Sequence, residues 1–242
     1  MARRLIMSAT DKGGVGKSFT FIHLADWMQD SGINWHGFDP DDSNYTFSKT
    51  HPDDVTTVNI DRETSMDSVL KAFGQYDAIL VDGLGAMQSK GFLRWVEEVD
   101  LFDVADEFNL SITMVLNLNS KREPLDGAHE VMQRFGEHCD YLIVKNPHEL
   151  KTKVVDDSDF ELWEKSAAKK LAKKLGAYEV IMPAMTHERA QHLNDHLTTA
   201  GRAYKHAESL GDLQRWKGLW LGNKAIKGFS PMFDEAEDIL IP

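Results

Sequence analysis

Short runs of apolar or β-branched residues alternate along the chain with longer segments in which apolar residues recur at helical spacing. This alternation predicts parallel strands joined by crossover helices. Several runs, such as A-I-L-V at 78–81 and Y-L-I-V at 141–144, are apolar throughout, which is typical of strands covered on both faces. We therefore expect a three-layer α/β fold, with a doubly wound, mostly parallel sheet and helices on both of its faces.

The pattern also predicts the bounds of the individual elements. Strands are expected at 4–9, 34–38, 56–60, 78–81, 111–116, 141–144 and 179–182, and helices at 17–31, 65–74, 92–106, 125–137 and 160–175. With 242 residues, 42% of them hydrophobic, the chain can bury one substantial core. We expect a single domain over 1–230, with helices at about 186–230 as its C-terminal elaboration, and an acidic tail at 231–242.

Cysteine content and hydropathy restrict the cellular setting. Cys139 is the single cysteine, so one chain forms neither a disulfide framework nor a four-cysteine metal site. No apolar stretch approaches the roughly 18 residues that a membrane span requires. A soluble, cytoplasmic protein is the expectation.

The segment T-D-K-G-G-V-G-K-S at 10–18 follows the first predicted strand and opens the first predicted helix. Its glycines permit main-chain conformations in which successive N–H groups surround phosphate oxygens at a helix N-terminus. Lys17 would reach the β- and γ-phosphates of ATP, and the Ser18 hydroxyl would bind Mg²⁺. The predicted nucleotide-binding residues of this loop are Gly13, Gly14, Val15, Gly16, Lys17, Ser18 and Phe19.

A second lysine, ahead of the glycines, distinguishes this loop. K-G-G-V-G-K-S resembles the deviant Walker A motif of the ParA/MinD family of P-loop ATPases, although Asp11 stands where the general pattern has its first glycine. In that family the first lysine reaches across a dimer interface to the nucleotide bound by the other subunit. The resemblance implies that Lys12 is this lysine and that a homodimer encloses two ATP molecules. In that dimer, Lys12 of each subunit would stabilise the charge that develops during phosphoryl transfer at the other subunit's ATP. The resemblance covers residues 3 to about 185 in element order.

An acidic segment, G-F-D-P-D-D-S-N at 37–44, follows the second predicted strand. It resembles the D-x-D switch of the same family, with Asp39 and Asp41 as the pair and Asn44 after them. An alternative register takes Asp39-Pro40 as the D-P of the family and leaves Gly37 at the position of the first acid. The water-orienting role is therefore assigned to Asp41 first and to Asp39 second.

Two further segments place a polar residue just after the carboxyl end of a predicted strand, which is where doubly wound folds bind their ligands. Y-D-A-I-L-V-D-G at 76–83 resembles a Walker B strand, in which Asp82 would face a Mg²⁺-bound water. Y-L-I-V-K-N-P-H at 141–148 places Asn146 where family members use an asparagine to recognise the adenine edge, and an Asn-Pro turn is the alternative. The predicted metal ligands are Ser18, Asp39 and Asp82.

Charge distribution bears on partners. The net charge is −12, but residues 151–230 carry an excess of lysine and arginine. One lysine-rich helix is predicted over 160–176, with an apolar face of Phe160, Trp163, Ala167, Leu171 and Leu175 and with Lys165, Lys169, Lys170, Lys173 and Lys174 around it. It either contacts DNA or is a solvated face. A second candidate, R-W-K-G-L-W-L-G-N-K-A-I-K-G at 215–228, either contacts DNA or a partner, or contributes its tryptophans to the core.

The end of the chain, F-D-E-A-E-D-I-L-I-P, does not favour a membrane, because its carboxylates would be repelled by an anionic leaflet. We expect this tail to be either disordered or docked on a partner or a neighbouring subunit.

The segment F-D-P-D-D-S-N-Y-T-F at 38–47 is similar to the small ParA-type ATPases of conjugative plasmids, the StbB/TraL group. The hypothesis is a slow, partner-stimulated, Mg²⁺-dependent ATPase switch that dimerises on ATP and positions DNA directly or through a DNA-binding adaptor, as in plasmid partition, plasmid stability and conjugative transfer. Two alternatives remain: an ATP-binding scaffold with negligible hydrolysis, and a biosynthetic ATP-dependent enzyme of the CobQ type.

Overall fold

A single parallel sheet of seven strands organises the computed structural model, which describes residues 2–10, 12–40, 45–59, 63–82, 89–148, 155–205 and 228–242. The strands are β1 (Arg3–Ser8), β2 (Trp35–Asp39), β3 (Val55–Thr57), β4 (Ala78–Val81), β5 (Leu110–Leu118), β6 (Asp140–Lys145) and β7 (Tyr178–Ile181). Their order in the sheet is β3-β2-β4-β1-β5-β6-β7, with every pair parallel. The predicted fold class is therefore confirmed.

Helices cover both faces of the sheet. On one face lie α3 (Glu63–Ala72), α4 (Ser89–Glu98), α5 (Leu101–Phe108), α6 (Glu123–Phe135), α7 (Glu161–Glu164) and α8 (Ala167–Lys174). On the other lie α1 (Lys17–Asp30), α2 (Thr46–Thr50), α9 (His187–Asp195), α10 (Ala200–Lys205) and α11 (Ser230–Asp234). Each face buries its own apolar cluster, as the unbroken apolar strands predict. Among the residues described, no helix combines the length and hydropathy that crossing a bilayer requires.

Two predicted helices are each interrupted. The helix expected at 92–106 is divided into α4 and α5 at Asp100, whose φ of 52° lies in the left-handed region. The helix expected at 160–175 is divided at Ser166, whose hydroxyl accepts a hydrogen bond from Lys169 N (2.9 Å) and caps α8.

The predicted apolar face of this segment is largely kept despite the interruption. Phe160 and Trp163 are buried, and Leu171 and Leu175 are partly buried against the same core cluster. Ala167 is exposed, so the prediction is wrong at that position, and Ala168 and Ala172 pack into the core instead.

The C-terminal segment belongs to the core, so the interpretation of 231–242 as a disordered or partner-docking tail is wrong. Its apolar residues pack against α1 and the sheet: Phe229, Met232, Phe233, Ala236, Ile239 and Leu240 are all buried. Two of its acids have partners in the same chain, since Trp27 Nε1 donates to Asp234 Oδ1 (2.8 Å) and Tyr178 Oη donates to Asp238 Oδ2 (3.1 Å). Burial of the apolar side chains, rather than the charge of the carboxylates, decides where the segment lies.

Arg4 fixes this segment at the start of the central strand. Its buried guanidinium donates to Ile241 O (2.7 Å), Ile239 O (3.1 Å), Thr113 Oγ1 (2.9 Å) and Asp140 Oδ2 (2.7 Å). Because these acceptors come from β5, β6 and the C-terminus, one side chain joins the two ends of the chain to neighbouring strands.

Replacing Arg4 by alanine should therefore destabilise the whole domain. The substitution removes several charge-assisted hydrogen bonds from buried acceptors, and we expect the free energy of unfolding to fall by roughly 2–4 kcal/mol. Urea denaturation monitored by tryptophan fluorescence measures this change. Arg3→Ala, at a half-buried neighbouring position, is the matched control and should shift it by less than about 0.5 kcal/mol. Equal shifts for the two variants would contradict the assigned role of Arg4.

Candidate functional site

The glycine-rich loop lies between β1, the central strand, and α1. Gly14 and Gly16 have φ values of 75° and 92°, which are unfavourable for residues with a Cβ, so both glycines are required by the turn. Gly16 is the N-cap of α1, and within the part of the chain that the structure describes no side chain caps this helix. An uncapped helix N-terminus presents unsatisfied N–H groups and positive dipole charge, the arrangement that binds phosphate.

The two lysines of the loop differ in burial. Lys12 is exposed, whereas Lys17 is 8% exposed and its Nζ donates to Lys12 O (2.7 Å). The Lys17 side chain therefore folds back from the first residue of α1, and its ammonium lies against the loop that precedes the helix. The arrangement places a buried cation against the main chain of the loop that precedes α1, and leaves the side chain of Lys12 exposed to solvent.

A buried polar network supports the loop, and the sequence analysis missed it. Asn117 Nδ2 donates to Thr20 Oγ1 (2.7 Å), and Thr20 Oγ1 donates in turn to Gly16 O (3.0 Å). Asn117 N also donates to Thr10 Oγ1 (2.8 Å), at the other end of the loop. The signal that points to this network is Asn117 itself, a polar residue near the end of the apolar strand β5.

Asn146 holds the loop from the opposite side. Its Nδ2 donates to Val15 O (2.8 Å) and its Oδ1 accepts from His148 N (2.9 Å), which fixes the orientation of the buried amide. A Cβ at position 16 would lie 2.4 Å from Asn146 Nδ2, so the third glycine is also required by this close approach. The structure thus places Asn146 against the predicted loop, and adenine recognition by its amide stays a prediction.

A pocket of about 200 Å³ opens beside the loop and Asn146. Its remaining lining is mostly apolar: Phe19, His148, Met182, Pro183, Met185 and Ala190. Phe19 is backed by the C-terminal segment, because Phe229 contacts its ring edge (5.7 Å between centroids) and stacks on His23 (4.0 Å). Burial lowers the pKa of His23 to about 4, so this ring is neutral near pH 7 and adds no charge behind the pocket.

Asp39 and Asp82 lie at the carboxyl ends of the neighbouring strands β2 and β4, and both are buried. Asp82 N donates to Phe38 O (3.0 Å), which joins the two strand ends. Asp39 Oδ2 accepts from Ser48 N (2.9 Å) in α2. The structure therefore brings two predicted metal ligands together at the sheet edge from which the glycine-rich loop leaves β1.

Gly37 has a packing role in this segment. A Cβ there would lie 2.7 Å from Phe47 and 2.7 Å from Val55, so no larger residue, acidic or otherwise, fits that position of β2. In the alternative register, Gly37 occupies the position of the first acid of the switch, and this packing leaves no room there for an acidic side chain. Asp41 and Asn44, like Asp11, lie outside the described residues.

The lysine-rich segment provides less free positive charge than its sequence suggests. Lys165 pairs with Glu161, and Lys169 with Glu179 (2.7 Å) and Glu164 (3.4 Å). Lys170, Lys173 and Lys174 are exposed on α8, with Lys170 about one turn before the adjacent pair Lys173 and Lys174. The second candidate surface, 215–228, lies almost wholly outside the described residues.

Comparison with known proteins agrees with the fold. No family model matches the chain. Protein MobD from Acidithiobacillus ferrooxidans is 23% identical over 188 residues, which are 76% of this chain and 79% of that protein. The MinD cell division protein of Aquifex aeolicus aligns with a TM-score of 0.51 and 15% identity over 81% of this chain and 87% of its own. The septum site-determining protein MinD of Pyrococcus horikoshii, complexed with Mg-ADP, aligns with a TM-score of 0.53 and 14% identity over 82% and 87%. The chain therefore has the fold of MinD-type P-loop ATPases.

Gly16→Ala should impair nucleotide binding because the added Cβ collides with the Asn146 amide and the residue must keep a φ of 92°. Strain of about 1–3 kcal/mol at such a position corresponds to a loss of ADP affinity of roughly fivefold to 150-fold. Titration with a fluorescent ADP analogue measures the affinity. Gly127→Ala, in α6 with no atom within 4 Å of the new Cβ, is the control and should bind as the wild type does. Wild-type affinity in Gly16→Ala would contradict the described role of this glycine.

Proposed function

We propose that this chain is a Mg²⁺-dependent ATPase switch that dimerises on binding ATP and positions DNA. The observation that carries the proposal is the glycine-rich loop itself, which leaves the central strand, is held from both sides and opens an uncapped helix beside two buried aspartates. Hydrolysis is slow until a partner stimulates it, because the site is completed only in the dimer.

The loop is suited to the phosphates of ATP. The N–H groups from Gly13 to Phe19 surround the β-phosphate, and Lys17 exchanges its bond with Lys12 O for the β- and γ-phosphates. The oxygen ligands that Mg²⁺ prefers are available as the Ser18 hydroxyl and the carboxylates of Asp39 and Asp82. Bound Mg²⁺ neutralises the charge of the phosphates, and the residues of this chain orient them.

The pocket beside the loop suits an adenine base. Its apolar walls, including Phe19, Met182 and Pro183, accommodate a planar ring. Asn146 Oδ1 keeps a lone pair beyond the one used by His148 N, and this oxygen accepts a hydrogen bond from the exocyclic amine of adenine. Guanine presents a carbonyl oxygen at the equivalent position, so the amide oriented in this way favours adenine.

Lys12 and the second acid complete the active dimer. Lys12 is exposed in the isolated subunit. This exposure is required of a lysine that reaches the nucleotide of the partner subunit. Asp41 orients the attacking water, with Asp39 as the second candidate. If neither acid supports hydrolysis, the chain is the ATP-binding scaffold instead.

The cellular role is placement of plasmid or other DNA, with plasmid stability and conjugative transfer as its specific form. The similarity of fold to a septum site-determining protein supports a positioning role, and the segment at 38–47 supports the plasmid ATPases of the StbB/TraL group. DNA is bound directly, through Lys170, Lys173 and Lys174 of α8, or through a DNA-binding adaptor. The proposed location is the cytoplasm.

Light scattering with Mg²⁺ and a non-hydrolysable ATP analogue tests the switch. We expect the solution mass to double for the wild type and for Lys71→Ala, an exposed lysine on α3, and to stay monomeric for Lys12→Ala. Phosphate release from ATP by the wild type, and its loss in Asp41→Ala, separates the ATPase from the scaffold. A wild-type monomer with nucleotide bound would contradict the dimer, and unchanged turnover in Asp41→Ala would contradict the role of Asp41.

A further inference from the structure

A partly buried polar cluster joins three helices on the face of the sheet that carries α1. Arg202, in α10, is at its centre: Nη1 donates to Thr50 O (2.5 Å), Nη2 donates to His51 Nδ1, and Nε lies 3.2 Å from Asp26 Oδ1. Thr50 and His51 form the end of α2, and Asp26 lies in α1. One side chain therefore contacts both the helix that begins at the glycine-rich loop and the helix that bonds to Asp39.

The cluster uses the forked shape of the guanidinium. Its three nitrogens reach three acceptors on two helices at once, which the single ammonium of lysine cannot do. Since an arginine only donates, His51 Nδ1 is the acceptor and Nε2 carries the proton, which it donates to Ile22 O (3.2 Å) in α1. Burial, together with the charge of Arg202, lowers the pKa of His51 to about 3, so this neutral form persists across the physiological pH range.

The approach of α10 to α1 is close and specific. The Thr199 hydroxyl donates to Asp26, and Arg202 N donates to Thr199 Oγ1 (3.0 Å). A Cβ at position 201 would lie 3.0 Å from Asp26 Oδ2, so Gly201 permits this approach. By contrast, Lys205 on the same helix makes an exposed ion pair with Asp30. Arg202 and Lys205 thus differ in burial and in the elements they join.

The position of α2 depends on its contacts, because a five-residue helix has little stability of its own. Phe47 packs on Gly37 at one side, and Ser48 N bonds to the Asp39 carboxylate at another. Arg202 holds the third point, at the C-terminal end of α2. A shift of that end moves Ser48, which lies two residues earlier, and with it the hydrogen bond that orients Asp39.

We propose that Arg202 is a positioning residue for hydrolysis: it fixes α2 relative to α1 and so holds the Asp39 carboxylate in place at the phosphate end of the site. This inference rests on the proposed ATPase function and assigns part of that function to the C-terminal elaboration. The elaboration thereby contributes to the geometry of the reaction without contacting the nucleotide. Nucleotide affinity in the absence of Mg²⁺, which depends on the loop, is left unchanged by Arg202.

The experiment compares Arg202→Lys with Lys205→Ala. The lysine at 202 keeps the ion pair with Asp26 and favours folding, but it loses the fork to Thr50 O and His51. We expect kcat for ATP to fall by about tenfold or more, as for a misplaced catalytic group, while ADP affinity measured without Mg²⁺ stays within about twofold. Hydrogen exchange of residues 45–51 should become faster in the same variant. Lys205→Ala should match the wild type in both measurements.

Three results would overturn the inference. The first is wild-type kcat and wild-type exchange in Arg202→Lys. The second is an equal loss of kcat in Lys205→Ala. The third is a proportional change in kcat, KM and melting temperature, which indicates a structural role alone. If the wild type releases no phosphate, the proposed function fails separately, and the exchange of 45–51 decides the positioning claim: faster exchange in Arg202→Lys alone supports it, and unchanged exchange overturns it.

Discussion

The hydrogen bonds from Asn117 through Thr20 to the carbonyl of Gly16 fix where α1 begins, and the rest of the site is placed relative to that point. Asn146 holds the same loop from the side of β6 through Val15 O. Because the loop is held on both sides, its main-chain conformation is fixed before any ligand binds. Ligand binding then does not bear the full entropic cost of ordering the loop. This preorganisation is the physical basis for treating the loop as a phosphate site rather than as a turn rich in glycine.

Charge is distributed to match that arrangement. Lys17 lies buried within the loop, while Asp39 and Asp82 lie buried at the carboxyl ends of β2 and β4, two neighbouring strands on one side of β1. Buried charges of opposite sign in one region are stable only when hydrogen bonds and counter-charges compensate their desolvation. A phosphate group beside Lys17 and a divalent cation beside the carboxylates would each add a counter-charge of opposite sign.

The sequence predicted the parts of the molecule that depend on local pattern. All seven strands, the glycine-rich loop and the α1 start at Lys17 are where periodicity and glycine chemistry indicate. It failed where a single polar residue changes the chain path, as Ser166 and Asp100 do by interrupting helices that a hydrophobic pattern alone continues. The acidic C-terminus was misjudged because its charges are obvious, whereas its apolar residues find their partners only once the sheet exists. The contacts of Asn117 with Thr20 and of Arg202 with Thr50 join residues 97 and 152 positions apart, and no local pattern reveals such pairs.

The most direct test of the nucleotide site is calorimetric titration of ADP into the wild-type chain and into Lys17→Ala, each with and without Mg²⁺. We predict one nucleotide per chain, tighter binding with Mg²⁺ and a loss of binding in Lys17→Ala. Failure of the wild type to bind ADP at millimolar concentration, or equal affinity in Lys17→Ala, would contradict the claim that this loop is a nucleotide site.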